Sequence, residues 1–136
     1  MKHRALCRIG AAALLCVLGT APSALPFWAH QRVQLFATCA GRYEAMSLDH
    51  REMDRGKRSA MRNQVEGFQS LVDALLPDAL AEEMPENMPV KWKATGWSEI
   101  AHLLTEVQYS VDPGRVRRAS DMLGKRIEEC EGLLLS

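Results

Sequence analysis

The 136-residue chain carries 17 basic and 17 acidic side chains, with 47% hydrophobic and 25% charged residues. That is one domain's length of chain, and it is too apolar to be disordered. Nine glycines, six prolines and four cysteines exclude collagen-like, low-complexity and disulfide-dense classes, and the zero net charge argues against general nucleic-acid binding.

Residues 1–24 read as a cleaved export signal. Lys2, His3, Arg4 and Arg8 form a positive start, residues 9–19 an apolar stretch, and Ala21 and Ser23 supply small residues at the −3 and −1 positions of a cut after Ser23. The competing reading is an uncleaved anchor, because residues 9–29 carry no charge over 21 positions. Pro22 and Pro26 interrupt that stretch and favour cleavage. Leu14 and Leu15 before Cys16 do not fit a lipoprotein site. Without residues 1–24 the remaining single domain, 25–136, has 14 basic and 17 acidic residues and keeps only Cys39 and Cys130. Two cysteines in an exported chain most simply pair. Their separation of 91 positions would make the bridge worth about 4–5 kcal/mol by loop entropy.

Helical periodicity then runs through the chain. Val33, Phe36, Cys39, Tyr43 and Met46 mark a first helix over residues 30–48. Met53, Met61, Val65, Phe68, Val72 and Leu76 mark a second, expected to end or kink at Pro77. Residues 77–89, with three prolines, read as a short helical turn followed by a loop. The third helix carries Trp97, Ile100, Leu104 and Val107. Its start is open between Pro89 and Ser98, with Gly96 arguing for the later one. Asp112 as cap and Pro113 as first residue open a fourth helix through Val116, Leu123, Ile127 and Cys130. Neither strand-like alternation nor an internal repeat is present.

Four amphipathic helices with short links predict an all-α, up-down-up-down four-helix bundle. Cys39, early in helix one, and Cys130, late in helix four, would then lie at the same end, on apolar faces. Topology and cysteine pairing agree without either having been used to derive the other.

Candidate chemistry is sparse. His30, His50 and His102 stand in no catalytic or metal motif, and no Gly-x-Ser-x-Gly or phosphate-cradling glycine loop occurs. Met46, Met53, Met61 and Met122 with His102 offer haem ligands, but methionine at helical spacing reads first as core filler. Met84-Pro85 and Met88-Pro89, flanked by Glu82, Glu83 and Glu86, offer thioethers to Cu(I), yet read first as a proline-rich loop. No cofactor and no metal ligand are therefore expected. Trp92 and Trp97, beside Lys91 and Lys93, are candidates for partner binding as well as for packing.

Charge is the unusual feature. Arg51, Arg55, Arg58 and Arg62 follow spacings of 4, 3 and 4 along the start of helix two, with Lys57 nearby. Residues 63–87 hold six acids and no base. Arg115, Arg117 and Arg118 open helix four, so a bundle would gather both sets at one pole. The acids of residues 73–86 with Glu128, Glu129 and Glu131 fall at the other. Arginine at two helix starts opposes the macrodipole and forfeits about 0.3–1 kcal/mol per exposed charge. The expected partner is an acidic protein face or an anionic membrane surface, not nucleic acid.

The stretch Ala37-Thr38-Cys39-Ala40-Gly41-Arg42-Tyr43, after an export signal and with a distant Cys130, resembles small exported helical proteins of alphaproteobacteria. The resemblance implies a periplasmic location, a helical fold and the two cysteines, and no activity. The sequence thus reads as a periplasmic or secreted binding or accessory protein rather than an enzyme. A metal or haem carrier using Met and His is the competing reading.

Overall fold

The computed structural model describes residues 25–49 and 54–134. Residues 1–24, which the sequence reading takes as an export signal, lie outside them, as do His50, Arg51 and Met53. The described residues form four α-helices and no strand: α1 (Ala29–Ser47), α2 (Arg55–Ala81), α3 (Met88–Tyr109) and α4 (Pro113–Leu134).

Helix α1 is the centre of the molecule. It packs extensively on both α2 and α3, while α4 lies mainly on α3 and meets α1 near the cysteines. Helices α2 and α3, consecutive in the chain, do not pack on one another along their lengths. Buried residues therefore surround α1 almost completely, from Ala29 and Val33 through Phe36, Ala40 and Tyr43 to Ser47. Helix α2, by contrast, fully buries only Phe68, Val72 and Ala79, with Met61, Val65, Leu75 and Leu76 packed part-buried beside them, and turns its other faces outward.

Small residues permit this crowding. Gly41 on α1 faces Gly96 on α3, and the two backbones touch. A Cβ at Gly41 would press on the Lys93 carbonyl, 2.8 Å from its carbon and 2.9 Å from the Trp97 amide nitrogen. One at Gly96 would press on the Thr38 carbonyl, 2.9 Å from its carbon. Backbone cannot yield as a flexible side chain would, so only glycine fits either position.

Side-chain register fixes the directions. Glu82 beside Ala29 and His30 makes α2 antiparallel to α1. Thr38 against Gly96, then Arg42 with Glu99, makes α3 parallel to α1. Arg126 with Glu99 and Arg115 with Glu106 make α4 antiparallel to α3. Two apolar clusters fill the interior. One joins α1 and α2 around Phe68, whose ring lies 5.7 Å from that of Tyr43 and 6.1 Å from that of Phe36. The other joins α1, α3 and α4 around Ile100, Leu103 and Ala119.

One boundary differs from the sequence reading, and one that it left open is set. Helix α2 continues through Pro77 to Ala81, absorbing the short turn expected after the proline. The missing N–H removes one hydrogen bond, but the last turn buries Ala79 completely against the core. Helix α3 begins at Met88, with Pro89 in the first turn, where no amide hydrogen is needed. Gly96 marks the contact with α1 rather than a helix start, and Trp92 consequently stands on the helix.

Gly41→Ala and Gly96→Ala should each destabilise the fold by about 1–3 kcal/mol or more, as overpacking against backbone does. Gly124 on α4 faces open space, with nothing within 4 Å of where an alanine methyl would stand, so Gly124→Ala should stabilise by about 0.4–1 kcal/mol. Urea denaturation followed by circular dichroism distinguishes the two signs. Equal effects at Gly41 and Gly124 would contradict the α1–α3 contact.

Candidate functional site

Cys39 and Cys130 form a disulfide with Cα atoms 5.6 Å apart, bolting the end of α4 to the middle of α1, where Cys39 lies instead of early in the helix. Both are buried, at 3% and 0% exposure, so neither sulfur is presented to solvent. One turn further along α1, Arg42 enters the same junction. Its Nε donates to Glu99 Oε2 at 3.0 Å, and Nη1 donates to the Arg126 carbonyl at 3.0 Å and to Glu129 Oε2 at 2.9 Å. Arg126 in turn pairs with Glu99 and Glu129. Two guanidinium groups and two carboxylates thus neutralise each other where α1, α3 and α4 meet. Burial pushes the Glu129 carboxyl up, but the hydrogen bond from Arg42 and the charge of Arg126 outweigh this and hold it low. The Glu99 carboxylate holds the Arg126 guanidinium above its ordinary range. This junction is structural: its charges are spent on one another.

The arginines singled out by spacing fall at the end of the molecule formed by the starts of α2 and α4. Arg55 and Arg62 are exposed and Arg58 is half-buried, while Arg51 lies outside the described residues. Asp54 caps α2 by accepting from the Lys57 amide at 2.8 Å. The first turns of α2 and α4 hold no acid. On α4, Arg117 is exposed. Arg115 and Arg118 share an open groove of about 360 Å³ with His102 and Met122 of the α3–α4 face. Glu106 at the groove's edge pairs loosely with Arg115, at 3.9 Å. The α2 and α4 sets share an end of the molecule but lie on different helices flanking α1 and α3.

The tryptophans part company. Trp97 is 39% exposed and borders two grooves on the outer side of the α1–α3 pair, one with Leu48 and Leu104, the other with Val90 and Lys93. Trp92 lies at the end opposite the arginines, half-buried against the α1–α2 core. There it shares an open groove of about 370 Å³ with His30, Met84 and Met88.

Glu82 organises that end. Trp28, the residue before α1, offers no side-chain cap. Glu82, just past α2, takes its place: Oε1 accepts from the Ala29 amide at 3.0 Å, and Oε2 from the His30 amide at 2.9 Å. The same Oε2 lies 2.7 Å from His30 Nδ1. Hydrogen bonds from the His30 and Ala29 amides, aided by the imidazole, hold the Glu82 carboxyl below the usual carboxylate range. The turn that places it needs Glu83 at φ 63°, in the left-handed region.

The methionines considered as haem ligands are not gathered. Met46 packs with the α3–α4 cluster, Met61 with the α1–α2 cluster, and Met122 stands with His102 on the outer groove. Met53 lies outside the described residues. Among the described residues, no three histidine, cysteine or carboxylate side chains gather as a metal site, and no helix is long and apolar enough to cross a membrane. Arg42 and the His30–Glu82 pair were not found by sequence reasoning. The one available signal for Arg42 was an arginine set among the apolar positions of α1. For His30 and Glu82, 52 positions apart, there was none.

Glu82 and Glu129 titrate lower in the folded chain than when unfolded. Their stabilisation is therefore present above the ordinary carboxylate range and is lost as pH falls from about 5 towards 2. Glu82→Gln should lower stability at neutral pH and flatten this acid limb in urea melts taken across that range. An unchanged limb would show that Glu82 does not cap α1. Comparison with known protein families, with curated proteins and with solved structures finds no match, so any functional reading rests on the chain's own geometry.

Proposed function

We propose that the chain is exported by residues 1–24 to the periplasm or beyond. There it acts as a non-enzymatic binding or accessory protein, an up-down-up-down helical bundle stapled by Cys39 and Cys130. Its contact surface is the arginine-rich end, and its partner is a broad anionic surface, either the acidic face of a protein or an anionic membrane.

One observation carries this reading: arginines crowd the starts of both α2 and α4, and beyond the single capping carboxylates, Asp54 and Asp112, neither first turn has an acid to offset them. Helix N-termini already carry partial positive charge, so each of these arginines adds to a like field. An anion brought to this end would meet both the side chains and the helix dipoles. The side chains spread over two helices instead of converging on a deep pocket, which suits a surface better than a small ligand. The groove holding Arg115, Arg118 and His102 adds a local focus. The disulfide supports the extracytoplasmic location, since such bonds persist in oxidising compartments.

The test is co-sedimentation of the processed chain with anionic and with neutral vesicles, alongside capture from periplasmic extract, each over a range of salt. Binding should weaken as salt rises, because exposed charges are screened within about 8–10 Å at physiological ionic strength. The Arg55→Gln, Arg58→Gln, Arg62→Gln triple variant should lose binding and keep its helical signal. A triple variant that retains every interaction of the parent overturns the proposal.

A further inference from the structure

At the end opposite the arginines, the turn after α2 brings the two Met-Pro pairs against the start of α1. Met84, Met88, Trp92 and His30 wall one open groove there, with Glu82 and Glu83 at its margin. Met84 is drawn inward, at 8% exposure, and Met88 and Trp92 pack partly buried beside it. The His30 ring is positioned by Glu82 Oε2 at Nδ1, 2.7 Å away, which leaves Nε2 as the nitrogen outside that bond. Trp28 stacks over the imidazole, ring centroids 6.4 Å apart and planes inclined by 26°.

We propose that this groove is a site for monovalent copper, with His30 Nε2 and the thioether sulfurs of Met84 and Met88 as ligands and the Trp92 ring as a neighbouring wall. Thioether and imidazole donors together select a soft ion. A hard divalent ion prefers a set of several oxygen donors, and with both oxygens of Glu82 engaged by the Ala29 and His30 amides, Glu83 is the one other carboxylate lining the groove. The cysteine sulfurs are tied up in the disulfide and offer no thiolate. A carboxylate holding the far nitrogen of a histidine is the usual means of fixing the tautomer and ring orientation of a metal ligand. Core-filling methionines would need no such histidine beside them. The acids at the margin add a negative potential that favours a cation, and an aromatic wall can stabilise one across its face. The site is independent of the arginine-rich end, so either proposal can fail without the other.

The oxidised processed chain, its disulfide verified by thiol titration, is mixed anaerobically with Cu(I) held by a chromophoric chelator, with ascorbate as reductant. The chain should withdraw one Cu(I) per molecule, with quenching of tryptophan fluorescence, and should take up no Zn(II) from the same assay. Met84→Leu/Met88→Leu conserves side-chain volume. It should weaken Cu(I) binding by at least ten-fold while leaving the urea midpoint near that of the parent. Should the double variant fold poorly, Met88→Leu and His30→Asn, at the more exposed positions, must each show the loss. Copper left on the chelator by the parent chain, or binding unchanged in the folded variants, overturns the proposal.

Discussion

The backbone contact between Gly41 and Gly96 is the constraint on which the rest of the arrangement depends. Two helices that meet through side chains keep their axes about 8–10 Å apart. Where both present glycine, carbonyl and amide groups of one helix lie directly on the other. Helix α3 is thereby drawn onto α1, its parallel partner, and α2 is left on another side of α1. The composition of α1 follows. Most of its circumference beyond the exposed Gln31 and Gln34 is occupied, so it carries Ala37, Ala40, Gly41 and Ala45 where an outer helix would carry longer side chains. Helix α2, with one face engaged, remains polar over most of its surface.

The remaining fastenings connect other parts of the chain to this pair. Glu82 joins the end of α2 to the start of α1, and at the same stroke satisfies two amide hydrogens that any helix N-terminus leaves unpaired. Arg42 and the disulfide fasten α4 at one level of α1, where covalent and ionic links reinforce each other. Replacing such a charge network with apolar residues is often neutral in stability, so what this one contributes is orientation of α3 and α4 on α1. With the interior settled in this way, the two ends are left chemically distinct. One has arginines at two helix starts; the other has carboxylates, a histidine and thioethers around the α2–α3 turn.

Four helices were legible from apolar spacing and their alternating directions from the short links between them, although α1 proves to be buried on more than the one face that spacing suggested. The pairing of Cys39 with Cys130 was legible from cysteine arithmetic, and the alternating helix directions agreed with it independently. What escaped the sequence depended on partners distant in the chain. Gly96 looks like a helix breaker unless the opposing Gly41 is known. Pro77 looks like a terminator unless the burial of Ala79 beyond it is known. The arginines on α2 and α4 were visible as two clusters at one pole, but the groove that Arg115 and Arg118 share with His102 was not. His30 looked isolated because Glu82, Met84 and Met88 reach it only through folding.

Native-state hydrogen exchange tests the central place of the α1–α3 pair most directly, because it ranks elements by the free energy needed to open them. Amides at residues 36–43 of α1 and 97–103 of α3 should exchange only through global unfolding. Those at residues 57–62 of α2, where little is buried, should exchange through cheaper local opening. Protection that is greatest in α2, with α1 exchanging ahead of it, would contradict a fold organised on the glycine contact.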